Sequence, residues 1–355
     1  MSKTSAHKSQ SIFRKRINKF KGFKRGYYSF LLLFGAFLLS FLNPILINNK
    51  ALMVSYQGET YFPALTSEVY QGKDLGQRVI GEADYRKLGD QYSEKGEGDW
   101  VLMPIYPYSP LESLLTDPDL PGPPPHAPTA EHWMGTDDRG RDVFARLIYG
   151  FRISLGFGLG VVTFGYIIGM SVGACLGYFG GRLDIIGQRF VEMWSGMPFL
   201  YTVIIISSLI KPGFLMLIGI LAAWRWMGIS YYMRGEFYRE KAKDYVSAAI
   251  AQGDSHSSII FRHILPNSLT PIISFAPFAL VGAIGSLVSL DFLGFGLQPP
   301  TPSWGELVKQ GLSNIQKWHL VFFPLGALFS TLLMVVFIGE AVREAFDPKV
   351  FSRLR

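Results

Sequence analysis

The chain reads as an all-α membrane protein of six transmembrane helices, with a soluble insert between the first and the second. Three observations predict this. Of its 355 residues 49% are apolar and only 17% are charged, whereas soluble domains carry nearer a quarter charged. Six predominantly apolar runs of roughly twenty residues recur along the chain, the length a helix needs to span hydrocarbon. Lysine and arginine gather in alternate gaps between those runs, the bias that orients multi-pass proteins.

The first element, 1–26, carries Lys3, Lys8, Arg14, Lys15, Arg16, Lys19, Lys21, Lys24 and Arg25 and no acid. Such a cluster can bind nucleic acid. Ahead of an apolar run it is better read as a flank that holds this end in the cytoplasm, so no nucleic-acid partner is expected. The first span is Tyr27–Ile47. It is longer than a signal-peptide core and ends in Leu-Ile-Asn-Asn-Lys rather than small residues, which predicts a retained helix.

The segment 48–152 is too long for a loop. Leu52, Val54 and Tyr56 alternate up to Gln57-Gly58, and Thr60-Tyr61-Phe62 follow, a pattern that predicts a β-hairpin. Proline-rich runs at Met103–Pro110 and Leu120–Pro128 resist helix. A partly irregular outer cap is expected. Asp142–Tyr149 is expected to form an amphipathic helix lying at the outer interface before the second span.

A five-helix core, 153–342, follows. Its spans are Ile153–Phe179, Val191–Ile210, Phe214–Met233, Leu269–Leu290 and Leu320–Gly339, and 343–355 close the chain on the cytoplasmic side. Gly165, Gly169, Gly173 and Gly177 recur every four residues in the second span. That spacing leaves a bare strip on which a neighbouring helix packs closely; glycine's cost in a helix demands such a reason. The single Cys175 excludes an internal disulfide and reads as a small packing residue.

Charges near the spans are functional candidates. Arg225, between Trp224 and Trp226, reads as snorkelling toward the inner head groups. Glu192 and Glu340 are expected to pair with basic residues near helix ends. Asp291, Phe292, Gly294 and Gly296 form a glycine-rich bend that is a candidate outer gate, where the Asp291 carboxylate is a candidate partner for a cationic group on a cargo. His126, Glu131 and His132 invite a metal reading, but an irregular loop supplies no fixed ligand geometry, so a solvated loop and no metal are expected. His256 and His263 read as interface or capping residues.

The longest inner loop, 234–267, is the segment that most demands a purpose. Ser247-Ala248-Ala249 are expected to close one short helix, with Gly253 supplying a turn at positive φ. Asp254 or Ser255 then caps a second helix, Ser257–Leu265, which carries Phe261. Pro266 is expected to end that helix and start the next span. An ordinary helical hairpin and a docking surface explain the pattern equally well in isolation. The six-span setting favours docking, with small alanines admitting a partner surface.

This loop resembles the EAA motif of ABC-importer permeases: Glu-Ala-Ala, three residues, Gly, nine residues, Ile-x-Leu-Pro. Ser247 replaces the Glu and His263 the Ile, while Ala248, Ala249, Gly253, Leu265 and Pro266 keep the spacing. HWMGTDDRGRDVFARLIYGFRISL (132–155), LDFLGFGL (290–297) and GEAVREAFDP (339–348) resemble the C-type permeases of the peptide/nickel family. The resemblance runs from about residue 27 to 348. It implies a type I importer permease in a bacterial inner membrane, with a periplasmic insert. It also implies a second homologous permease, an ABC ATPase beneath, a periplasmic solute-binding protein and a peptide cargo, microcin C-like compounds included. No G-x-x-x-x-G-K-[ST] occurs, so this chain is not read as an enzyme and binds no cofactor; ATP and Mg belong to the ATPase. Nickel is the alternative cargo. A secondary transporter or channel is the rival of another class; it calls for inverted repeats and carboxylates along a path, and neither is evident.

Overall fold

The computed structural model describes residues 12–346, apart from 67, 97, 116, 118, 119 and 121. Lys3, Lys8, Lys349, Arg353, Arg355 and the last two residues of the GEAVREAFDP signature lie outside the described residues. The chain forms two compact units.

One unit takes Gly156–Leu287 with the chain before Gly35 and after Leu328, and it is helical. Helix α1 (Ile12–Gly22) precedes α2 (Lys24–Leu39), which a short 3-10 turn and α3 (Asn43–Leu46) prolong. A Cβ on Gly26 would meet Ala341 and the Phe337 carbonyl, so α2 enters hard against the last helix of the chain. Helix α5 runs unbroken from Val143 to Phe179. The expected interfacial helix at 142–149 is therefore no separate element: no residue between Tyr149 and Ile153 breaks the helical pattern, so it continues into the span.

The third expected span is not straight. Helices α6 (Gly181–Ser195) and α7 (Phe199–Ile210) meet at a 70° bend. Pro198 lacks an N–H and drives Met197 out of the helical region. Helix α8 (Phe214–Lys241) overruns its expected end at Met233 by two turns. Beyond it lie α9 (Asp244–Ala251), α10 (His256–Ser258), a π-helical stretch Ile259–Ile264, and α11 (Leu265–Leu293). Pro266 does not terminate a helix: His256–Leu293 form one continuous run. A proline ring presses on the carbonyl four residues back, and the wide π turns open the helix at that point. Helix α13 (His319–Phe346) completes the set. Among the described residues, five helical runs are long and apolar enough to cross a membrane, and a sixth if the bent pair is one span.

The other unit takes Gly35–Leu155 and Val288–Leu328. The expected hairpin pairs β1 (Met53–Tyr56) with β2 (Glu59–Tyr61), and Gln57 and Gly58 both take positive φ (51° and 83°), as a tight twisted hairpin requires. A third strand, β3 (Trp100–Leu102), pairs on the other side of β1. Helix α4 (Tyr85–Lys95), capped by Asp84, packs Tyr85, Leu88 and Tyr92 against Ala51, Val54 and Leu75. Strand β3 and α4 give the insert a folded core of its own. Helix α12 (Trp304–Ser313) follows the bend after α11.

Cys175 is exposed on α5 and fills no internal gap, contrary to its expected packing role.

Candidate functional site

The glycine series lies where α5 approaches α8. A Cβ on Gly165 would sit 3.2 Å from the Arg225 Cβ; on Gly169 it would strike the Trp226 carbonyl, and on Gly173 the Ser230 carbonyl. On Gly177 it would lie 2.7 Å from the Arg234 carbonyl oxygen. The two helices therefore meet closely over about three turns, leaving no space for any side chain on this strip. Asp184 of α6 fastens the far end of this seam. It accepts from Arg234 Nε and Nη2, each at 2.5 Å, and from the Tyr238 hydroxyl at 2.6 Å.

That seam holds the long loop. Val246 and Ala249, one helical turn apart on α9, are buried with Tyr178, Met233, Phe237, Ile259 and Ile264. Ala249 thus faces the core, and Ser247, Ala248 and Ile250 face outward. The turn after α9 is a complete Schellman motif. The Asp254 N–H donates to the Ala249 carbonyl at 3.1 Å and the Gly253 N–H to Ile250 at 3.0 Å, with Gly253 at φ +82° where an L side chain is strained. Ser255 caps the following turn through Ser258 N–H. Asp254 ties the turn to the π stretch by accepting from His263 Nε2 at 2.9 Å and Ser258 Oγ at 3.2 Å. The Tyr178 hydroxyl and His256 Nδ1 lie 2.7 Å apart. Glu240, buried, accepts from Lys243 Nζ at 2.7 Å and the Tyr245 hydroxyl at 2.8 Å.

Outward, the loop presents Ala248, Ile250 (53% exposed), Gly253 and Phe261 (67% exposed). Pro266 is exposed and Leu265 packs inward. The outward face thus combines small residues with two apolar projections, Ile250 and Phe261.

Other expectations fare differently. Arg225 does not snorkel. Its Nη2 donates to the Gly282 carbonyl at 2.6 Å and to Ser286 Oγ at 2.9 Å, tying α8 to α11. Asp291 offers no free carboxylate to a peptide: Oδ1 accepts from the Leu297 N–H at 2.7 Å and Oδ2 from Ser303 Oγ at 2.5 Å. It braces the bend, in which Gly294 takes φ +85° and Gly296 lies against Asp291 itself; Phe292 is half-buried. Glu192 pairs with Arg189 at 2.6 Å, while Glu340 has no ion pair among the described residues. Of the insert's histidines, His132 is buried rather than solvated, 2.9 Å from Asp142 Oδ2, while His126 is half-buried with its Nδ1 3.0 Å from Thr136 Oγ1. No metal-holding cluster of His, Cys, Asp or Glu occurs among the described residues.

Sequence reasoning missed a second feature, an ionic knot in the unit that contains the sheet. Arg146, fully buried, donates through Nη2 to Glu306 at 2.5 Å. Its Nε lies 3.5 Å from Asp137 Oδ2, an ionic contact without hydrogen-bond geometry. Arg141 bridges Asp137 at 2.7 Å and Glu306 at 3.2 Å; these carboxylates outweigh burial and hold its guanidinium pKa up. Trp304 Nε1 donates to the Leu147 carbonyl at 3.0 Å. The 132–155 stretch and α12 are thereby locked together.

Residues 165–352 match the family described as binding-protein-dependent transport system inner membrane component. An Escherichia coli K12 protein named inner membrane ABC transporter permease protein YejE is 42% identical over 93% of this chain and 95% of its own. A peptidoglycan transport system permease protein YejE of Agrobacterium fabrum is 38% identical over 95% of this chain and 93% of its own. The dipeptide transport system permease protein DppC of Bacillus subtilis is 38% identical over 69% and 76%. Among solved structures, an inward-facing methionine ABC transporter aligns over 57% of this chain and 97% of its own, with a TM-score of 0.49 and 19% identity.

Proposed function

We propose that this chain, which belongs to the binding-protein-dependent transport system inner membrane component family, is a permease subunit of an ATP-driven importer of peptides. It is a multi-pass inner-membrane protein and a transport component rather than a catalyst. The observation that carries the reading is likeness along the whole chain: of the two relatives matched over nine-tenths of their length or more, one is named an ABC transporter permease and the other a peptidoglycan transport system permease, and further relatives are named dipeptide and oligopeptide permeases.

The finer assembly is inferred. A separate ABC ATPase seats in its groove the face formed by Ser247, Ala248, Gly253, Asp254 and Phe261. Movement of the ATPase reaches the spans through the buried Val246 and Ala249 and through the Asp254–His263 tie. A second, homologous permease completes the path, and a solute-binding protein delivers peptide on the opposite side. Lysine and arginine density supports an orientation with both ends cytoplasmic, so that the sheet-bearing insert lies outside.

The test is mild-detergent purification of the tagged chain from its native membrane, with mass spectrometry of its companions. An ATPase and a second permease are expected. A chain recovered alone, stable and monodisperse, overturns the reading in favour of a self-sufficient transporter or channel.

A further inference from the structure

Arg225 ties α8 to α11, but the two neutral partners that make the tie do not call for its charge. It lies eleven residues past Phe214 in a 28-residue helix, about 17 Å along at about 1.5 Å per residue. A guanidinium at such depth is costly unless paired. Yet among the described residues no carboxylate approaches it. Only Nη2 has protein partners, a carbonyl and a hydroxyl, both neutral. The chain makes room for this group: a Cβ on Gly282 would lie 3.0 Å from Nη1, and one on Gly165 would crowd the Arg225 Cβ.

The guanidinium lines a cavity of about 260 Å³ together with Tyr166, Tyr232, Phe275 and Phe278. Tyr166 contributes a second unmet group, since its hydroxyl is buried without a hydrogen-bond partner. Buried polar atoms are nearly always satisfied, so an orphan hydroxyl beside a charge lacking its counter-ion marks a place for an acceptor. Phe275 and Phe278 also line a larger groove of about 1480 Å³, bounded by Arg16, Glu236, Arg239 and Glu340. The small cavity thus shares two of its walls with a wide, charged groove.

We propose that Arg225 and Tyr166 form a subsite for the terminal carboxylate of a peptide in transit. Arg225 offers charge-assisted donors, Tyr166 a neutral one, and the aromatic rings take the last side chain. The volume holds one residue, so the site reads the end of the cargo and not its sequence. This inference rests on the peptide-importer reading above.

The experiment measures binding of trialanine and of its C-terminal amide, by calorimetry, to the purified transporter complex without its binding protein. The wild type should favour the free acid about tenfold or more. Arg225→Gln should bind the acid no better than the amide, and Arg225→Lys should restore part of the preference. Tyr166→Phe removes only the orphan hydroxyl; it should narrow the preference of the acid over the amide. It decides the matter if Arg225→Gln fails to assemble. Equal binding of acid and amide by the wild type, the result expected if a partner permease supplies the counter-ion, overturns the site. So does no binding, or a preference that survives both Arg225→Gln and Tyr166→Phe. Uptake of trialanine into proteoliposomes with the binding protein present separates the two readings. Uptake without a carboxylate preference at Arg225 removes the subsite alone, whereas no uptake removes peptide as the cargo.

Discussion

Arg146 and Glu306, 160 positions apart in the chain, meet at 2.5 Å with the arginine wholly sealed from solvent. Removing one member of such a pair leaves an uncompensated buried charge, which costs far more than the intact pair contributes. Glu306→Gln should therefore lower stability by about 3 kcal/mol, read as an earlier thermal transition in detergent. Arg141 keeps Asp137 as a partner, so the loss falls mainly on Arg146. An unchanged transition would mean that Asp137 alone satisfies both arginines.

The α5–α8 seam predicts a contrast between glycines. Gly173→Leu drives a side chain into the Ser230 carbonyl and Met233, and overpacking of this kind costs about 1–3 kcal/mol or more. Gly219→Leu on α8 meets nothing within 4 Å and should be nearly neutral. Thermal melting of the two variants side by side checks it; equal melting would show that the seam yields.

Much of this was legible. A glycine every fourth residue has few physical uses besides close helix contact, and Gln57-Gly58 between alternating residues has few besides a hairpin. Hydropathy, however, averages over local breaks, so the Gly196-Met197-Pro198 bend reads as one straight span. Periodicity carries no long-range pairing, so nothing announces that the Arg146 of one motif is completed by Glu306 in a short helix near the other end. Spacing also fixes which residues share a helix, not which face is buried; the phase set by Val246 turns Ala249 inward and Ala248 outward. Arg225 reads as a snorkelling residue because its hydrogen-bond partners, Gly282 and Ser286, carry no charge to mark them.

The insert's tyrosines should ionise late. Burial, aided by Glu131, pushes the Tyr108 phenol up to about 12, and burial likewise raises Tyr85, Tyr92 and Tyr106. A phenol whose folded pKa exceeds its unfolded value of about 10 contributes stability that is intact below pH 10. That stability is lost as pH rises from about 10 toward 12. A difference titration of ultraviolet absorbance between wild type and Tyr108→Phe should show the missing ionisation near pH 12. A step near pH 10 would mean the ring is solvated.

Gly253 separates the two roles of the long loop. Nothing lies within 4 Å of a Cβ built there, so substitution meets no clash inside this chain, and the only internal cost is the φ of +82°. Gly253→Ala should cost about 1 kcal/mol for the left-handed conformation and leave transport nearly intact. Gly253→Arg bears a similar backbone cost but projects a long charged side chain from the exposed turn, between Ile250 and Phe261. If an ATPase seats on that face, the arginine variant should insert and melt like the alanine variant yet lose the ATPase on purification and abolish uptake. Both variants failing together would make the turn's shape the critical feature. Both transporting normally would remove this loop from the docking surface and leave the rigid Schellman turn as a purely structural closure between α9 and the π stretch.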